Sequence, residues 1–320
     1  MASPSDILTI PLDEWVSYGI KDVLVPALRP VLEIVKWPIE QVLNGLEGAL
    51  QATPFLVFLA LATIVAWRAA GRGIMIFTFL GLIFLDLIEV WPETMTTLAM
   101  IITAVVFCAV VGVPLGIIAS RSDRFANGLR PVLDIMQTIP PFVYLVPIVM
   151  LFGVGLVPGV IATIVFALPP IIRLTNLGIR QVQASLVEAA YAFGATPKQV
   201  LWDVQVPLAL RTIMAGLNQT LMLSLSMAVI AALIGAGGLG LTVYTGLGRL
   251  DVGAATEGGI GIVLIAIMLD RITQALGEND PSQKRSLIGT IKSMFSMVSQ
   301  KPDKDQQEGV QAGGAGQKAG

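Results

Sequence analysis

The 320-residue chain has no histidine and a single cysteine, Cys108. Without histidine there is no Ser–His triad, no imidazole acid or base and no His metal site. One cysteine allows neither an intrachain disulfide nor a CxxC pair. Charge is also scarce: 13 % of residues are Asp, Glu, Lys or Arg, against roughly 25 % in soluble domains. The net charge of −2 leaves no nucleic-acid footprint, so no nucleic-acid partner is expected. No G-x-x-x-x-G-K-[ST] run occurs, which excludes a P-loop on this chain. Met1 to Asp13 lacks both a basic start and an apolar run, so no cleavable signal peptide is expected. What is abundant is apolar surface, at 55 % hydrophobic residues and a mean hydropathy of +0.79. So few charges cannot coat a globule of this size, and the reading is an all-α, polytopic membrane helix bundle.

A spanning helix needs about 20 largely apolar residues. Charge-poor stretches predict seven: Leu50–Trp67, Ile74–Trp91, Met95–Ala119, Val132–Phe152, Leu156–Arg173, Thr212–Ile234 and Gly253–Asp270. The fourth and fifth share one uncharged run, Ile135 to Ile172, folded at Gly153–Pro158. Sixteen of the twenty Lys and Arg then fall on one side, and only Lys21, Arg29, Lys36 and Arg249 on the other. The basic side is expected to be cytoplasmic, with the N-terminus outside and the C-terminus inside. Ahead of the first span, Leu12, Trp15, Val16, Gly19, Ile20, Val23, Leu24 and Ala27 recur at helical spacing, as in an amphipathic helix on the outer face. Beyond Gly277, Leu287, Ile288, Ile291, Met294, Phe295 and Val298 suggest one interfacial helix, and Lys301–Gly320 reads as disorder.

The longest inside segment, 175–211, is the informative one. Gly178–Phe193 reads as a helix stopped by Gly194, which accepts positive φ. Thr196 then caps a second helix, with Pro197 at its first position and Gln199 completing a capping box. The prediction is a helix–turn–helix on the membrane surface, ended by Pro207. A polar, pre-shaped helix pair in so apolar a chain suits docking of a cytoplasmic partner better than a solvated connector. Ala189, Ala190 and Ala192 permit close approach, and Glu188 offers a carboxylate to an arginine.

Glu188-Ala189-Ala190, Gly194 and Val204-Gln205-Val206-Pro207 resemble the EAA signature of binding-protein-dependent ABC importer permeases, with Val204 and Val206 as mild departures. Asp134–Tyr144, Gly159–Thr163, Phe166–Thr175 and Ile234–Gly240 are similar to the permeases of glycine betaine/proline betaine importers, from about Met95 to Arg271. The resemblance implies a type I ABC permease core and the bacterial inner membrane. It also implies partners: a second permease copy, two cytoplasmic ATPase subunits that supply ATP and Mg, and a periplasmic or lipid-anchored binding protein. This chain itself would hold no cofactor or metal and would not be an enzyme. Glu188, Ala189, Ala190, Gly194 and Pro207 would form the coupling element. The implied division is an outer-face segment at 1–48, accessory helices at 49–94, the core at 95–273 and a cytoplasmic tail at 274–320. The expected cargo is a quaternary-amine osmoprotectant, glycine betaine or proline betaine, with choline or carnitine as the alternative.

A quaternary ammonium lacks N–H donors and is held by aromatic faces. Phe142 and Tyr144 follow Pro140 and Pro141, and Pro169 and Pro170 free further carbonyls that must be satisfied inside the bundle. Those six residues are the candidate translocation path. An ion-coupled secondary carrier is the rival from another class; it would want a charge in mid-membrane and has no need of the Glu188 loop. Asp86 and Glu89 sit near the outer end of the second span, where snorkelling or pairing is the expected role. Asn218, Gln219 and Ser224 suit interhelical hydrogen bonds, and Cys108 suits packing. Gly235-x-Gly237-x-x-Gly240 matches a dinucleotide fingerprint by letter only, because no strand precedes it; a bent outer segment is expected there.

Overall fold

The computed structural model describes residue 19 and residues 25–277, all of whose regular elements are helical. The helices are α1 (Val25–Ala52), α2 (Phe55–Ala70), α3 (Arg72–Leu87), α4 (Trp91–Arg121), α5 (Asp123–Thr138) and α6 (Pro141–Phe152). They continue with α7 (Leu156–Arg180), α8 (Ala184–Ala192), the continuous rod α9 (Pro197–Ile234), α10 (Leu239–Gly248) and α11 (Val252–Gly277). Of the expected helix over Leu12–Ala27, only Gly19 and residues 25–27, the latter at the start of α1, are described; the interfacial helix at 287–298 and the tail at 301–320 lie outside the described residues.

Four helices, α4, α7, α9 and α11, are long and apolar enough to cross a membrane alone. They contain the expected spans at Met95, Leu156, Thr212 and Gly253. The other three expected spans take a different form. Leu50–Trp67 is broken at Thr53–Pro54, where α1 and α2 meet at 108°. Val132–Phe152 is broken at Ile139–Pro140, where α5 and α6 meet at 100°. In both, the residue before proline is pushed out of the helical region, so the apolar run continues while the helix stops. Helix α3 ends at Leu87, four residues before the expected end, and at 16 residues it is about 24 Å long, short of a hydrocarbon core of about 30 Å. Six crossings result if each bent pair counts as one.

The centre of the bundle is α7, packed between α4 and α9. Its contact with α4 rests on Gly112 and Gly116, a G-x-x-x-G pair set against α7. A Cβ on Gly116 would lie 2.5 Å from the Thr175 Cβ and 2.8 Å from the Ile172 carbonyl, and one on Gly112 would collide with Ile171. Small residues let two backbones approach where no hydrophobic effect drives them together. Gly178 repeats the device against Thr212 of α9, 2.8 Å from an added Cβ. Asn218 of α9 donates to Asp270 of α11 (3.0 Å) and accepts from Thr273 (2.6 Å), the expected interhelical bond. Ser224 instead donates to the Thr220 carbonyl of its own helix.

Both ends of the bundle are tied. At one, Gly155 N–H donates to the Ile234 carbonyl (2.8 Å). There too Thr97 accepts from Leu239 N–H (2.8 Å) while donating to the Glu93 carbonyl. The Gly235–Gly240 segment is therefore a tight turn: Gly235 and Gly238 have φ of 77° and 79°, and α10 turns back outward beside α11. Helix α1 lies at the same end, with Ile39 and Leu43 buried among Met100, Ala104 and Val160, and Glu47 accepting from Thr96 (2.9 Å). The opposite end carries Arg121, Arg124, Arg180 and Lys198, at the ends of α4 and α7 and the start of α5 and α9.

Candidate functional site

The segment joining α7 to α9 differs from the expected helix–turn–helix in both halves. The first helix is not Gly178–Phe193. Helix α7 runs on to Arg180, the chain turns through Gln181–Gln183, and α8 begins afresh at Ala184. Arg180 anchors that turn, with Nη1 on Asp123 (2.7 Å), Nε on Asn176 (2.8 Å) and Nη2 on the Ala119 carbonyl (2.8 Å). Nine residues are too few for a stable isolated helix, and α8 has no buried residue. Its far end supplies the order. Gly194 N–H bonds the Tyr191 carbonyl (2.9 Å) and Ala195 N–H the Ala190 carbonyl (3.0 Å), a Schellman closure that needs the Gly194 φ of +84°.

The second half begins as expected. Thr196 and Gln199 form the full capping box, with Pro197 in the first turn. Arg121 at the end of α4 donates to the Pro197 carbonyl (2.8 Å). Pro207, however, does not end the helix. Residues Val200–Gln205 form a π-helical turn, and Val206 N–H bonds Leu201 O, five residues back. The wider turn removes the clash a proline ring makes with the carbonyl four residues before it. Helix α9 therefore runs on unbroken, and Pro207 sits exposed on its side. Val200 is buried and Leu201 joins a cluster with Ile172, Ile179 and Ile213, so the base of α9 is rooted in the core beside α8.

The outer surface of this element is unusually apolar for a loop. Phe193, at the end of α8, is 93 % exposed, and Leu186, Tyr191 and Trp202 are also exposed. Glu188, Ala189 and Gly194 are exposed and Ala190 half-buried. Glu188 makes no hydrogen bond or ion pair among the described residues. A short helix held only at its ends, with bare alanines and unpartnered aromatics, is a surface shaped to be covered. Phe193 and Trp202 were not singled out from the sequence; the signal was large apolar side chains inside the one long charged loop.

The candidate path residues fall on α6 and its entry and on α7. Pro140 and Pro141 form the α5–α6 bend, and Phe142 beside them is exposed. Tyr144 is half-buried, its hydroxyl 3.9 Å from Met227 Sδ and its ring 6.3 Å from that of Phe166. Pro169 and Pro170 are buried within α7. Carbonyls just before them receive side-chain donors from both neighbours: Cys108 on Ile164 (3.7 Å) and Thr220 on Ala167 (3.0 Å).

Comparison with known proteins agrees with this architecture. The family model for the binding-protein-dependent transport system inner membrane component matches residues 112–278. The chain is 55 % identical, over 86 % of its length and 77 % of the relative's, to the glycine betaine/proline betaine transport system permease protein ProW of Escherichia coli (strain K12). It is 42 % identical, over 87 % of its length and 99 % of the relative's, to the glycine betaine/carnitine transport permease protein GbuB of Listeria monocytogenes serotype 1/2a (strain 10403S). An inward-facing structure of the MetNI methionine ABC transporter aligns with a TM-score of 0.52 at 25 % identity, over 59 % of this chain and 93 % of that one. With the end of α4 and all of α5–α11 in the matched region, the chain belongs to the family of binding-protein-dependent transport system inner membrane components.

Proposed function

We propose that this chain is the membrane permease of an ATP-driven importer of glycine betaine or proline betaine, and that α8 is its coupling helix. The supporting observation is the 55 % identity to the ProW permease across 86 % of the chain. In this reading two copies pair, two ATPase subunits bind the basic end, and a binding protein delivers substrate to the opposite end. The basic end faces the cytoplasm. Glu188, Ala189, Ala190 and Phe193 sit in a groove of the ATPase, and Gly194 with the Thr196 cap fixes their angle to α9. Closure of the ATPases on ATP displaces α8, and α9 carries the displacement into the bundle. The two orientations of the bundle are a two-state element biased by the partner, as alternating access requires. Pro207 and the π turn keep the helix continuous below the contact. The α6 face carrying Phe142 and Tyr144 borders the substrate path, where aromatic faces offer weak cation–π attraction. Residues 95–273 form the transporting core, with 49–94 accessory and 1–48 an outer-face segment. A carnitine or choline importer of the same build is the second reading, favoured by the carnitine in the name of the GbuB relative.

The test is uptake of labelled glycine betaine into proteoliposomes holding this chain, its ATPase and its binding protein, with trapped ATP as the energy source. Accumulation that needs ATP and the binding protein, competed by proline betaine more strongly than by choline or carnitine, is the expected result. Flux driven by an imposed ion gradient without ATP would instead make this a secondary carrier. Glu188→Lys should abolish ATP-dependent uptake while the protein remains inserted.

A further inference from the structure

A cleft of about 490 Å³ opens between the ends of α4 and α7 and one face of α5, within the roughly 300–1,000 Å³ of small-molecule pockets. Asp123, Asn127, Arg130 and Asp134 line it from α5, at a spacing that puts all four on one side of that helix. Arg173 and Arg180 face them from α7. Three guanidinium groups thus meet two carboxylates, leaving one positive charge in excess.

The donors are not equally committed. Arg180 has spent Nε and both Nη atoms on Asn176, Asp123 and Ala119. Arg173 has spent one nitrogen, 2.6 Å from Asp134. Arg130 makes no hydrogen bond or ion pair among the described residues. With five N–H donors on each arginine, the cleft offers a fork on Arg130 and part of another on Arg173, and both carboxylates are already paired. An anion with several oxygens is the complement, and a phosphate accepts from two arginines in this way.

The surroundings say which phosphate. Leu129, Leu133, Ile172 and Leu177 are the large apolar residues of the lining, and Leu177 is exposed. The cleft sits where the apolar runs of α4 and α7 end, at the depth of lipid headgroups. The far side of α5 carries exposed Phe125, Val132 and Ile135, so the helix has the amphipathic build of one lying in the membrane interface. We propose that this cleft binds the headgroup of an anionic phospholipid, with its phosphate between Arg130 and Arg173 and an acyl chain against Leu177.

The test uses the full chain in nanodiscs of mixed phosphatidylglycerol and phosphatidylethanolamine, with retained lipids counted by native mass spectrometry. Phosphatidylglycerol should be retained above its share of the bilayer. Arg130→Gln should weaken that retention about tenfold, the loss of one charge-assisted hydrogen bond, and Arg249→Gln at the other end should leave it intact. Arg130 bonds nothing among the described residues, so the variant should fold, which an unchanged elution profile and thermal midpoint would verify. Retention equal to bulk composition, or undiminished in the Arg130→Gln/Arg173→Gln double variant, would overturn the proposal. Displacement of the lipid by inorganic phosphate would also overturn it, in favour of a free-anion site. None of these outcomes depends on which substrate is carried.

Discussion

Gly194 has a φ of +84° and open space where a Cβ would go. Any substitution there is therefore judged by backbone conformation alone. A left-handed residue costs roughly 1–2 kcal/mol when it carries an ordinary side chain, and asparagine escapes most of that. Gly194→Asn should keep most of the ATP-dependent uptake, whereas Gly194→Val should lose it at least several-fold at equal membrane content. Equal uptake by the two variants would show that the turn angle is immaterial. Thr196→Ala removes the cap on the Gln199 N–H and should cost about 1 kcal/mol, read as a lower thermal midpoint of the purified protein. Leu250 is the converse case, with φ of 57° on a bulky residue. Leu250→Gly should relieve that strain and leave the midpoint unchanged or slightly higher.

Among the elements, the α4–α7 contact carries the most risk. Gly116 meets the Thr175 Cβ, fixed to its own backbone, and the Ile172 carbonyl of α7, so Gly116→Leu forces the helices apart. We expect a protein that inserts but is cleaved by protease far faster than wild type; protection at the wild-type rate would show that the contact can yield. The G-x-x-x-G pair was present in the sequence but indistinct among 32 glycines. The Thr196 capping box was legible because its partners lie three residues apart and need nothing else. The end of α7 at Arg180 was not, because neither glycine nor proline marks it; the bonds that hold it come from Asp123 and Ala119, far away in sequence. The bends at Pro54 and Pro140 were hidden because hydropathy is continuous across them. Pro207 was misread because a proline stops an α-helix, while a π turn just before it lets the helix proceed.

Across the whole molecule, Arg121, Arg124, Arg180 and Lys198 gather at one end, and the turns at Gly155 and Gly235–Gly240 lie at the other. This asymmetry predicts accessibility. Cys108 is buried and should not react, so an introduced cysteine reports alone. Phe193→Cys should label with an impermeant maleimide only in inside-out vesicles, and Leu250→Cys only in right-side-out ones; the reverse pattern would invert the bundle. The same two ends are joined by one piece of chain. Helix α9 spans 38 residues, about 57 Å of rise, with the Thr196 cap at its base and the Ile234–Gly155 bond at its tip. A rod of that length acts as a lever: a tilt of about 6° at the base sweeps the tip through about 6 Å. The tip is bonded to the start of α7, so that start must follow. In the proposed coupling, a small push at the root of α9 is thereby carried to the turns at the opposite end of the bundle.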